Sequence, residues 1–92
     1  MSIELEYKNV KGQALNIIKK DNVTNAEFVF FADGQKYTLT LFDIEDIVDI
    51  SNLIEAEEFW VESHPKKEGK FVLTLVHQYG VELNINKYAI NS

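Results

Sequence analysis

The chain is 92 residues long and 46% apolar, with fifteen acidic residues against nine basic ones and a net charge of -6. That length has room for one hydrophobic core, so a single globular domain over residues 1–92 is expected. The chain has no cysteine, which excludes disulfides, thiolate metal sites and covalent cysteine chemistry, and all its basic residues are lysine.

No apolar run approaches the roughly 18 residues of a membrane span, and the opening MSIELEY lacks the basic and apolar regions of an export signal. The expectation is a cytoplasmic protein with no membrane contact. Arginine is the side chain suited to bidentate grips on phosphate or guanine. Its absence, with the negative net charge, argues against direct nucleic-acid binding.

Ile3 to Tyr7 alternates apolar and acidic residues and reads as a short strand with one wet face. Val10 to Lys20 fits two templates. Val10, Ala14, Ile17 and Ile18 fall at helical spacing, with Lys19 and Lys20 suited to a last turn, and helix is the reading adopted. Gly12 weakens it, and Leu15 and Ile17 equally suit a strand. Glu27–Ala32 and Gln35–Phe42 are β-prone runs joined by Asp33-Gly34, a pair that accepts the left-handed conformations of a type I′ turn. The first run is apolar on both faces, as for a strand covered on both sides. The second turns Tyr37, Leu39 and Leu41 one way and Lys36, Thr38 and Thr40 the other.

Asp43 to Glu62 follows, with eight carboxylates and no base: Asp43, Glu45, Asp46, Asp49, Glu55, Glu57, Glu58 and Glu62. The other residues together are slightly basic, so the net charge resides in this stretch. Ile44, Ile47, Val48, Leu53 and Ile54 recur near helical spacing, and Asp43 stands where an N-cap belongs. The spacing predicts a helix from about Ile44 to Glu57, with a break near Ser51. Glu58–Glu62 returns to strand character, with Phe59 and Val61 on one face and Glu58, Trp60 and Glu62 on the other. His64–Gly69 is a turn around Pro65. Lys70–Gln78 is a strand, Tyr79-Gly80 a reversal or bulge, and Val81–Asn86 a strand with Val81, Leu83 and Ile85 inward. Lys87–Ser92 is a fraying strand or a tail. The sum is an α+β domain, a mostly antiparallel sheet of four to six strands packed by one or two helices.

Catalytic patterns are sparse. There is no glycine-rich phosphate loop, HExxH pair or calcium loop. His64 and His77 stand alone in different elements, and a histidine with Glu58 or Glu62 is the one acid–base or metal pairing on offer. No cofactor, metal or catalytic residue is assigned. The acidic stretch is the candidate working part, through Asp43, Glu45, Asp46, Asp49, Glu55, Glu57, Glu58, Trp60 and Glu62. Unneutralised carboxylates beside an outward tryptophan suit docking of a basic partner protein, because a basic surface relieves their repulsion and is steered to them. The partner class with such a surface is a nucleic-acid-binding protein, whose phosphate sites the carboxylates would fill. Small, cysteine-free acidic inhibitors of this sort include toxin immunity and phage anti-defence proteins, an analogy of class that no motif in this chain carries. The expected function is thus non-enzymatic binding or inhibition. The alternatives are an assembly subunit of a small homo-oligomer, a dimer included, using Phe28, Phe30 and Phe31 and a sheet edge, and a small enzyme or ligand-binding domain using a histidine–carboxylate pair.

Overall fold

Runs of alternating apolar and polar residues set most of the architecture. A computed structural model describes residues 3–45 and 47–92. Eight strands form among them: β1 (Ile3–Lys8), β2 (Lys11–Lys20), β3 (Val23–Ala32), β4 (Gln35–Phe42), β5 (Glu58–Ser63), β6 (Phe71–His77), β7 (Tyr79–Ile85) and β8 (Lys87–Asn91). Between β4 and β5 lie a one-turn helix, α1 (Ile47–Ile50), and a 3-10 turn, Ser51–Glu55. No helix among the described residues is long and apolar enough to cross a membrane.

The strands make two four-stranded antiparallel sheets, a first in the order β1-β5-β6-β7 and a second in the order β2-β3-β4-β8. β1 runs into β2 across Asn9-Val10, and β7 into β8 across Asn86, so both outer strands pass from one sheet to the other at a corner. Such corners need a bend. Asn9 supplies one with a φ of 54°, a left-handed conformation that asparagine tolerates, and a register shift between Gly12 and Ala14 adds a second. At the other corner the Asn86 amide donates to the Asp43 carbonyl (2.6 Å) and accepts from Lys70 Nζ (2.6 Å).

One core fills the space between the sheets. Phe28, Phe30, Leu39 and Leu41 from the second sheet meet Phe59, Val61, Leu73, Leu75, Leu83 and Ile85 from the first. Aromatic rings tie the two together. Phe30 meets Phe59 edge-on with centroids 5.1 Å apart, and Tyr7 packs on both Phe30 (5.2 Å) and Tyr37 (4.8 Å).

The α+β class and the antiparallel pairing agree with the sequence reading, while the described strands number eight in two sheets of four where the pattern predicts one sheet of four to six. The Asp33-Gly34 turn also agrees, both residues having positive φ. Three segments differ. Val10–Lys20 is not a helix: Lys11–Lys20 is strand β2, and Asp21 and Asn22 both take positive φ and turn it back onto β3. The helical spacing there was spurious, because Ile17 and Ile18 are both exposed near the hairpin end, Ile17 in the last row paired through β3 to β4 and Ile18 beyond it. The predicted Ile44–Glu57 helix is much shorter. Apart from Ile44 at its start, its buried residues are Ile50, Leu53 and Ala56, a three-residue repeat that suits a 3-10 turn, whereas Val48 is 81% exposed. Asp43 is no N-cap, since α1 starts at Ile47 and Asp43 itself holds a φ of 53°. Finally, the reversal near Tyr79-Gly80 centres on Gln78. Of the two readings of Lys87–Ser92 the strand holds, with Lys87–Asn91 paired to β4.

The 3-10 turn crosses the end of β2, and glycine is what permits the crossing. A Cβ on Gly12 would run into the Ile54 carbonyl oxygen and the Phe28 ring. The chain then leaves the turn pinned on both sides, Glu57 N–H donating to the Val76 carbonyl (2.9 Å) and Val10 N–H donating to the Glu57 carbonyl (2.8 Å). This pinning fixes the phase of β5.

Candidate functional site

With Phe59 and Val61 fully buried, period-two alternation turns Glu58, Trp60 and Glu62 to the outer face of the first sheet. Trp60 is half-buried, and its indole N–H donates to Glu62 Oε1 at 3.1 Å. Strand register decides what surrounds it. Glu6 of β1 lies directly opposite Trp60 on one side and Thr74 of β6 on the other, and Thr74 is in turn opposite Glu82 of β7. One row across the sheet therefore reads Glu6, Trp60, Thr74, Glu82. In the next row Lys8 is opposite Glu58. The outer face thus carries four carboxylates and one lysine around a single tryptophan, with a shallow groove of about 360 Å³ beside it. Val72 and Pro65 supply apolar floor and rim to that groove.

The remaining residues of the acidic stretch do not join this face as one helical stripe. Asp43, Glu45, Asp49, Glu55 and Glu57 lie along the connection between the two sheets, while Asp46 falls outside the described residues. Asp43 serves the fold through its backbone: its N–H donates to Asn25 Oδ1 (2.9 Å) and its carbonyl accepts from Asn86. Ile44 is buried and its N–H donates to the Thr24 carbonyl (2.7 Å). Glu45, Glu55 and Glu57 are exposed, and Asp49 is half-buried in α1.

Neither histidine bonds to Glu58 or Glu62. His64 Nδ1 accepts the backbone N–H groups of Lys66 and Lys67, each at 3.0 Å, which fixes the Nε2–H tautomer and closes the turn around Pro65. His77 meets a different carboxylate, with Nε2 3.6 Å from Glu55 Oε2, at a cavity of about 310 Å³ that Tyr79 and Asn52 also line. Its Nδ1 is buried without a hydrogen-bond partner. Among the described residues no three histidine or acidic side chains converge to hold a metal ion.

Sequence reasoning missed Glu6 and Glu82, the flanks of Trp60. Each sits in a clean alternating run, so its outward direction is readable. Its place beside Trp60 depends on pairing between distant segments, which local pattern does not encode. Comparison with protein-family models, curated proteins and solved structures finds no match to this chain.

Proposed function

We propose that the protein is a non-enzymatic binding protein of the inhibitor type that docks a basic surface of a partner protein against the outer face of its first sheet. The observation that supports this reading is Trp60, half-buried and outward, with Glu6, Glu58, Glu62 and Glu82 on its face. A large ring buries much apolar area at little entropy cost, and carboxylates around it select a cationic partner and speed its approach. The contact region moves from the whole Asp43–Glu62 stretch to its β5 end, joined by Glu6 and Glu82. The partner chemistry is a lysine- or arginine-rich surface, and a nucleic-acid-binding protein is the class in which carboxylates would take the places of phosphates. The proposal puts this encounter in the cytoplasm.

The test compares two charge reversals by calorimetric titration with a lysine-rich peptide. Glu6→Lys/Glu82→Lys alters the Trp60 face, whereas Glu45→Lys/Glu57→Lys alters the connection. The first should abolish binding and the second should weaken it only a few-fold. Equal losses, or a loss confined to the second variant, would show that Trp60 does not mark the docking surface. The assembly-subunit alternative retains one aromatic, because Phe28 and Phe30 are wholly buried and only Phe31 reaches the surface.

A further inference from the structure

The outer face of the second sheet is the chemical complement of the first. In β3 the even-numbered residues from Thr24 to Ala32 are buried, so Val29 and Phe31 point outward, Phe31 with 39% of its surface exposed. Register sets Phe31 between Lys11 of β2 and Lys36 of β4. Ile18 and Lys20 of β2 share this face, as does Lys87 of β8, whose ammonium lies 5.3 Å from the Phe42 ring centroid. Glu27 is the lone carboxylate in these rows. One side of the core therefore shows four carboxylates and one lysine around Trp60, and the other shows four lysines and one carboxylate around Phe31, Val29 and Ile18.

Resting on the reading of the Trp60 face as a docking surface, we infer that the basic surface it takes is the outer face of the second sheet of another copy of this chain. Like faces repel, so two Trp60 faces do not pair with each other, and neither do two lysine faces. The pairing joins unlike faces. Each added copy then leaves one face of each kind open, and growth runs head to tail as a chain or a ring and does not stop at a two-fold dimer. Four strands about 4.8 Å apart and about six residues long give a flat footprint of about 400 Å². That is half of the ~800 Å² per partner of a stable complex. The contact is accordingly weak and exchanges quickly, and a more strongly basic foreign partner competes for the same Trp60 face.

Sedimentation velocity over a wide concentration range reads this directly, at about 0.01 M salt, where the Debye length is ~30 Å, and at about 1 M, where it is ~3 Å. Average mass should climb past two copies in low salt and return to monomer in high salt. Glu6→Lys/Glu82→Lys and Lys11→Glu/Lys36→Glu should each stay monomeric. An equimolar mixture of the two should associate again, because the intact lysine face of the first meets the intact Trp60 face of the second. Matching far-UV circular dichroism and thermal unfolding of both variants establish that the fold is kept. A wild-type chain that stays monomeric in low salt, or association that either reversal leaves unchanged, overturns the inference. So does a mixture that stays apart. If a lysine-rich peptide still shifts Trp60 emission while the chain is monomeric, the docking face stands and the second copy is not its partner. If neither peptide nor second copy perturbs Trp60 in a Glu6- and Glu82-dependent way, both readings fall.

Discussion

Gly12→Ala tests the account of how the two sheets are held in phase. Gly12 sits where the 3-10 turn passes over β2, and an added Cβ would press on the Ile54 carbonyl oxygen, a backbone atom that cannot swing aside. Relief requires the Ser51–Glu55 turn to lift. Leu53 and Ala56 are buried beneath it, and the Glu57 N–H and carbonyl bind Val76 and Val10 just after it. Overpacking that forces such backbone shifts costs about 1–3 kcal/mol. For a domain of this size each kcal/mol lowers Tm by roughly 4–8 °C, so thermal unfolding followed by circular dichroism should show a fall of at least about 4 °C. Gly80→Ala is the control, because its Cβ would meet nothing within 4 Å and no positive φ holds it. Its Tm should move by no more than about 0.5 kcal/mol implies. If the two variants unfold together, the turn does not rest on β2 as described.

Other predictions follow from the same structure. In the connection, Leu53→Ala should cost about 2–5 kcal/mol by chemical denaturation, since Leu53 is fully buried. Val48→Ala should be near neutral, the reverse of what a regular helix through both would give. His64→Ala removes the acceptor of two backbone N–H groups, each worth about 1 kcal/mol. Amide exchange at Lys66 and Lys67 should accelerate, with little change at Phe59. Burial raises the pKa of Tyr7, with Tyr37 adding to it, and burial followed by the Glu4 carboxylate does the same for Tyr88. The folded state holds these protons more tightly than the unfolded chain. Their contribution to stability is thus whole below about pH 10 and is lost as pH rises beyond it. Urea unfolding of Tyr7→Phe should show a shallower alkaline decline than the wild type, and an unchanged slope would contradict the burial of that hydroxyl.

What could be read from sequence tracks how local its cause is. Asp33-Gly34 names its own turn because two adjacent residues must both take left-handed φ, and Trp60 could be placed outward because its immediate neighbours Phe59 and Val61 are the buried ones. Asp21-Asn22 carries the same kind of turn signal as Asp33-Gly34. It was masked by the apolar spacing of Val10–Ile18, which the exposed hairpin end does not use for burial. In the acidic stretch the charges were plain. The apolar period there is ambiguous by pattern alone, because Val48 and Ile54 fit a 3.6 repeat while the residues that become buried after Ile44, namely Ile50, Leu53 and Ala56, follow a repeat of three. The composition of the Trp60 face lies further still from local pattern. Glu6, Thr74 and Glu82 reach it through three separate strand pairings, each fixed by the buried faces of both partners.

Trp60 is the chain's sole tryptophan, so its emission reports on the proposed docking face without a label. The most direct measurement is a titration of the wild-type chain with a lysine-rich peptide at about 0.01 M and about 1 M salt, followed through that emission. A blue shift that saturates in low salt, weakens by orders of magnitude in high salt and disappears in Glu6→Lys/Glu82→Lys is the predicted result. Emission that the peptide leaves unchanged, or a shift indifferent to salt and to the charge reversal, would contradict the account.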